Sequence, residues 1–211
     1  NLRDHGGTEH LNPGLFHSAR TDEVVDAVAA LVGDRGGVLR FSLGGNFALR
    51  VSRALGLPAL AVCPALDPAA TMDAIDSGLK LYRWYFVRKW HRALRAKAAA
   101  FPALYDFNNA LRLGTVGALT EVFVREHTDY AEVARYLAAY TLTGTALDGT
   151  RATIVAALDD PIIPAAGLNE LPASIEVVPV PQGGHCGFID TLRGPGWIDR
   201  YAGDFFCEAL R

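Results

Sequence analysis

The stretch LRFSLGGNFALR, residues 39–50, decides the fold. An apolar run, GGVLRFS from Gly36, gives way at Ser42 to a helical pattern, GGNFALRVSRAL, that ends at Gly56. A short buried strand feeding directly into a helix is the unit from which parallel sheets are built. The serine at the junction raises the chemical question, because a hydroxyl on a sharp strand-to-helix turn is presented clear of both elements.

Working outward, Thr21 followed by Asp22 and Glu23 reads as an N-cap with acids in the first turn. Val24, Val25, Val28, Leu31 and Val32 then recur at helical spacing up to Gly33. Downstream, LPALAVCPAL is a second apolar strand. From Asp67 to about Gly149 the alternation stops and the pattern is helical throughout. It resumes with the strands ATIVAALDD and SIEVVPV and closes on the amphipathic helix WIDRYAGDFFCEAL. These patterns predict an α/β core from residues 1–66 and 150–211, with a mostly parallel sheet and helices on both faces, and a helical cap inserted over 67–149. The opening NLRDHGG reads as the end of a strand entering a glycine turn, so the first strands of the sheet are expected to precede Asn1.

The 211 residues suffice for one domain, or one domain with an insertion. Half are hydrophobic and a fifth charged, and a net charge of -3 gives no bulk reason to expect a nucleic-acid partner. No apolar run approaches the roughly 18 residues needed to cross a bilayer, and a cytoplasmic protein is the default expectation. Cys63, Cys186 and Cys207 are odd in number and lack CxxC spacing, which argues against a disulfide framework or a zinc site. His5 and His10 lack a carboxylate or histidine at helical spacing to complete a metal set.

The helix LKLYRWYFVRKWHRALRAKAAAF, residues 79–101, places Tyr82, Phe86, Trp90, Leu94, Ala98 and Phe101 at i, i+4 spacing, and its basic residues face no acidic neighbour. One reading is a cap helix that packs its aromatic stripe and leaves its lysines and arginines in water. The sharper reading is a basic amphipathic surface that makes peripheral contact with anionic lipid or a lipid-like substrate, with nucleic acid a weaker third option because the charge is confined to one helix.

A serine hydroxyl attacks only when a base takes its proton, and the base needs a third group to fix its tautomer. Asp159 and Asp160 follow the strand ATIVAALDD, and His185 in PQGGHCGF follows SIEVVPV. Ser42, the aspartates and His185 thus fall after successive strand ends, in the chain order of the α/β hydrolases. Taken singly, each has a plain alternative: a turn or anion-binding helix start, a helix cap, a buried hydrogen-bonding histidine.

The sequence resembles the α/β-hydrolase superfamily, and within it the YheT/EMB8-type esterases related to the ABHD1/2/3 group. The resemblance rests on FHSARTDE (16–23), FSLGGN (41–46), HTDYAEVARYLAAYTL (127–142), ALDDPIIP (157–164) and GGHCGF (183–188), in family order. It implies a carboxylic ester hydrolase with Ser42 as nucleophile, His185 as general base and, four residues before Pro164, Asp160 as the orienting acid, with Asp159 as helper or fallback. It implies an oxyanion donor from the Leu43 N–H, a second donor from a loop preceding Asn1, a small-molecule ester substrate and no cofactor. Tyr82, Phe86 and Trp90 are candidates for a hydrophobic substrate pocket. His17 falls at a family position read as structural, and Cys186 reads as a small packing residue. Two alternatives stay open: a non-catalytic relative that binds lipid or protein, and an acyltransferase using the same triad.

Two positions depart from the pattern. Relatives usually carry glycine where Asp4 stands, and the G-x-S-x-G turn carries Arg40 at its first glycine. Arg40 either points out past the strand end, lines the mouth of the site to attract an anionic group, or marks an elbow that no longer holds Ser42 correctly.

Overall fold

The computed structural model describes residues 1–32, 36–191 and 193–211. Gly33, where the first helical pattern stops, lies outside them. The chain divides into two compact units, one of residues 21–71 with 140–211 and one of residues 1–20 with 72–139.

The first unit is a sheet unit. Four strands, β1 (Val38–Phe41), β2 (Ala59–Val62), β3 (Ala152–Ala157) and β4 (Ile175–Val180), lie side by side in that order. All three pairings are parallel, with Phe41 beside Val62, Val62 beside Val155 and Val155 beside Val178. Alternation along β2 assigns its two faces. Ala59 and Ala61 pack with Leu49 of α2 (Leu43–Leu55), whereas Leu60 and Val62 pack with Ile198, Trp197 and Tyr201 of α7 (Trp197–Ala209). Helices therefore cover both faces. All four β2 residues are inaccessible to solvent, which explains why the strand reads as an unbroken apolar run. The helix α1 (Asp22–Val32) packs on α2, is without a fully buried residue, and leaves Leu31 exposed.

The second unit is helical, with α4 (Lys80–Ala100), α5 (Val116–His127) and α6 (Val133–Ala138), preceded by α3 (Pro68–Ser77), which runs into it from the sheet unit. Its core gathers Val87, Leu94, Phe107, Ala110 and Leu119, with Trp90 against Phe123. The stripe expected along α4 spans about 160°, because each of its four i, i+4 steps drifts about 40° and the last step, Ala98 to Phe101, turns back about 60°. Of the stripe, Leu94 is buried and Trp90 and Ala98 pack on this core, and Val87 and Lys97 complete the buried face.

Lys97 corrects the expectation that the basic residues of α4 are all solvated. Its side chain is 1% exposed, and Nζ donates to Asp4 Oδ1 (2.7 Å) and to the carbonyls of Asn12 (2.6 Å), Gly14 (2.8 Å) and Glu9 (3.3 Å). A buried ammonium is tolerated only when paired and fully hydrogen-bonded, and the segment 1–20 supplies all four acceptors. That segment groups with the helices, not with the sheet to which 1–66 was assigned, and among the described residues 1–7 form turns with no strand. Asp4 takes φ 55°, the conformation for which glycine is usual, and its other oxygen accepts from the Phe16 N–H. No helix among the described residues is long and apolar enough to cross a membrane.

Candidate active site

Parallel pairing brings every strand's C-terminal end to one edge of the sheet, and the ladder continues one residue past each end. Ser42 N–H donates to Val62 O (2.9 Å), Cys63 N–H to Val155 O (2.7 Å) and Leu158 N–H to Val180 O (2.8 Å). The residues that follow β1, β3 and β4 emerge together at this edge, where ligands bind in open α/β sheets.

Ser42 stands between β1 and α2 at φ 53°, ψ −127°. This conformation costs a non-glycine residue on the order of 1–3 kcal/mol and persists only where the surroundings enforce it. The bond to Val62 on one side and the start of α2 on the other do so. Leu43 is the first residue of α2, so its N–H belongs to the set without intrahelical partners, at the positive end of the helix. Two residues on, Gly44 lies against Arg40: a Cβ built on Gly44 would sit 3.3 Å from the Cβ of Arg40. With a Cβ at both positions this crossing would be crowded and one neighbour would have to give by a few tenths of an ångström, and Arg40 already supplies one. The guanidinium is exposed and donates to the Leu39 carbonyl (2.9 Å), so Arg40 points away along its own strand.

His185 must reach back from the end of β4, about 14 Å across the sheet from β1. The loop 181–188 achieves this by folding on itself. Gly187 and Phe188 N–H both donate to the Gly183 carbonyl, and Cys186 and Phe188 take φ 65° and 44°. The Phe188 ring covers Gly183 so closely that a Cβ there would approach to 2.6 Å.

The two imidazole nitrogens then find different partners. Nε2 lies 3.0 Å from Ser42 Oγ, and Nδ1 lies 2.9 Å from Asp160 Oδ2. The Asp160 side chain is 1% exposed, and its other oxygen accepts from the N–H groups of Ile162 (2.8 Å) and Ile163 (3.0 Å). A carboxylate fixed in this way holds the proton on Nδ1 and leaves Nε2 free to accept from the serine hydroxyl. The His185 side chain, 15% exposed, remains reachable.

Asp159 faces the opposite way. Its Oδ1 accepts from the N–H groups of Gly183 and Gly184, both at 2.8 Å, and these bonds hold its carboxyl below the usual range. The carboxylate thereby ties the loop carrying His185 to the end of β3. Sequence reading took Asp160 as the orienting acid with Asp159 as helper or fallback; the structure gives each its own partner. Asn46 escaped that reading. It is fully buried in α2, and its Nδ2 donates to the carbonyls of Ala65 and Tyr140, both at 2.8 Å, securing the helix that Ser42 begins. An asparagine on the apolar face of a helix was the available signal.

Cys186 packs in the apolar cluster beneath the loop with Cys63, and its Sγ lies 3.8 Å from the Val62 carbonyl. A hydrogen bond with Cys63, together with burial, pushes the Cys186 thiol up. Tyr82, Phe86 and Trp90 belong to the helical unit, where Trp90 is part of the interior and Phe86 packs edge-on against Tyr85. His17 lies among the rings of Tyr130 and Tyr136. Among the described residues no group of three or more His, Cys, Asp or Glu is placed to hold a metal ion.

No protein-family model and no curated protein matches the chain. Solved structures do. A meta-cleavage product hydrolase superposes with a TM-score of 0.55 at 16% identity, covering 99% of this chain and 79% of that one. An esterase of Pyrococcus furiosus gives a TM-score of 0.48 at 12% identity, covering 94% of this chain and 66% of that one. A monoacylglycerol lipase of Paleococcus ferrophilus gives 0.45 at 12% identity, covering 93% and 76%. The chain spans about half to two-thirds of the length of the esterases that it matches. The chain has the α/β-hydrolase fold.

Proposed function

We propose that this chain carries the catalytic machinery of a serine hydrolase that cleaves a carboxylic ester. The observation behind the proposal is the continuous hydrogen-bonded line Ser42 Oγ, His185 Nε2, His185 Nδ1, Asp160 Oδ2, with Ser42 in the enforced conformation of a strand-to-helix turn. Kinship with the YheT/EMB8-type esterases belongs to the same reading, supported by the five sequence segments in order.

In this reaction His185 Nε2 takes the Ser42 proton as Oγ forms a bond to the ester carbonyl carbon. The carbonyl oxygen becomes an oxyanion, stabilised by the Leu43 N–H. The tetrahedral intermediate collapses, the alkoxide leaves with the proton returned by His185, and the acyl group stays on Ser42. Water, deprotonated by the same nitrogen, then releases the acid and restores the hydroxyl. Asp160 keeps the imidazole oriented and stabilises its charged form throughout. A hydrophobic acyl or alcohol group is the favoured substrate class, because Phe41, Leu158 and Ile189 are exposed apolar side chains on the segments that carry Ser42, Asp160 and His185.

Fluorophosphonate labelling read by intact mass tests the proposal without knowledge of the substrate. A single adduct is expected, absent from Ser42→Ala and from His185→Ala, together with activity on nitrophenyl esters that rises with acyl length. A folded protein that forms no adduct would overturn the hydrolase reading, and a flat chain-length profile would overturn the substrate class.

A further inference from the structure

The outward face of α4 has no role in the chemistry above. The helix carries seven lysines and arginines and no acidic residue, in a chain whose net charge is -3. Two of the seven are spoken for: Lys97 is buried on Asp4, and Arg83 donates to the Asp76 carbonyl. The other five, Lys80, Arg88, Lys89, Arg92 and Arg95, are exposed, and no ion pair neutralises them among the described residues. At 100° per residue Leu81, Trp84, Tyr85, Arg88, Lys89, Arg92 and Arg95 fall within a sector of about 140°, opposite the buried face.

Charge alone would describe a solvated helix. Here large apolar side chains share the face: Leu81 is 70% exposed, Trp84 58% and Tyr85 51%, and Leu79, at the N-cap where the face begins, is 66% exposed. They occupy the N-terminal end, and the cations continue from them toward the C-terminal end. The two sets interlock, with the Arg88 guanidinium 5.4 Å from the Trp84 ring centroid and the Lys89 ammonium 6.0 Å from that of Tyr85. Four adjacent exposed apolar side chains cost hydration that nothing in the helical unit recovers. Tryptophan and tyrosine with basic neighbours are the composition favoured at the boundary between lipid headgroups and acyl chains.

We propose that this face of α4 docks on an anionic lipid surface, with Leu79, Leu81, Trp84 and Tyr85 entering the headgroup region and Arg88, Lys89 and Arg92 meeting lipid phosphates and carboxylates. Charge complementarity selects the anionic bilayer, and the exposed leucines favour it over nucleic acid, whose phosphates offer leucine no partner. The inference stands apart from the hydrolase reading, since it concerns binding alone.

Co-sedimentation of the whole chain with phosphatidylcholine vesicles, with and without about one-third phosphatidylserine, tests it. Binding is expected only to the anionic vesicles and is expected to fall steeply between about 0.05 and 0.5 M salt. Each cation near such a surface is worth about fivefold in affinity, so Arg88→Gln/Lys89→Gln/Arg92→Gln should weaken binding by about a hundredfold. Trp84→Ala should weaken it and blunt the tryptophan blue shift, while Trp84→Phe retains most of the binding. All four substituted positions are exposed, and fluorophosphonate labelling of each variant should equal that of the parent. Failure of the parent to bind, equal binding by the glutamine variant, or binding to an oligonucleotide but not to vesicles would each overturn the proposal.

Discussion

Gly44 and Arg40 share one space at the turn that presents Ser42. A Cβ on Gly44 would lie 3.3 Å from the Cβ of Arg40, a contact tight enough that one of the two must yield. Arg40 occupies the position of the first glycine in such turns without displacing Ser42, because the second glycine leaves the space open. Gly44→Ala should therefore lower stability by about 1–3 kcal/mol through overpacking and reduce fluorophosphonate labelling. Adding Arg40→Gly should restore both, and Arg40→Gly alone should leave labelling unchanged. Thermal denaturation and labelling rates of the three variants form the cycle; independent, additive effects would show that the two positions do not compete.

Asp159 and Asp160 are neighbours in sequence with separate duties, and substitution should separate them. Asp160→Asn presents the wrong hydrogen-bonding group to His185 Nδ1 and should cost about 10⁴-fold in turnover. Asp159→Asn loosens the loop at Gly183 and Gly184 and should cost between about three- and thirtyfold, through the position of His185 alone. The Asp159 carboxyl is depressed below its ordinary value of 3.8 by those two backbone bonds. Its contribution is complete above that value and is lost as pH falls through the lower folded value. Acid unfolding, followed below about pH 4, should accordingly lose a component in Asp159→Asn. Equal losses in the two variants would contradict the division of roles.

Lys97 and Asp4 form a buried pair surrounded by three carbonyls. Lys97→Met should destabilise the helical unit by about 3–5 kcal/mol, because it leaves Asp4 and the carbonyls without their donor. Asp4→Asn retains an acceptor and a residue tolerant of positive φ but leaves the buried Lys97 ammonium without its counter-charge, so a loss of similar size is expected. Chemical denaturation of the two variants distinguishes this arrangement from a surface ion pair, whose loss would scarcely register.

His127 packs its ring against Tyr105, Phe107 and Phe123, and burial pushes its pKa below the ordinary 6.5. His91 is lowered likewise, by burial and then by the charge of Arg95. The unfolded chain therefore takes up protons at a higher pH than the folded one. The stability from these neutral histidines is complete above 6.5 and falls as pH drops from there toward their lower folded values. Melting temperature should decline across that window, and His127→Phe should remove part of the decline. A slope unchanged by the substitution would count against the buried neutral ring.

Local pattern sufficed for the elements that lie next to one another in the chain. The strand-to-helix unit at Ser42, the unbroken apolar β2 and the order of Ser42, the two aspartates and His185 are legible because strand burial and helical periodicity repeat every few residues. The helical stretch between Asp67 and Gly149 is legible for the same reason, and no strand lies there among the described residues. What crosses long separations was not legible. A resemblance singled out Asp160 over Asp159, but what brings Asp160 and not its neighbour to His185 is the β3–β4 register and the fold of loop 181–188. Lys97 is buried because residues 4–14 bring one carboxylate and three carbonyls to it across more than eighty positions of chain. Along the α4 stripe, Trp90, Leu94 and Ala98 pack on the helical core while Phe86 packs on Tyr85, a division that depends on the neighbours the fold supplies. Sequence fixes periodicity, since that is a property of adjacent residues. The tertiary structure alone decides the partner of each polar group, because that depends on which backbones the fold brings within three ångströms.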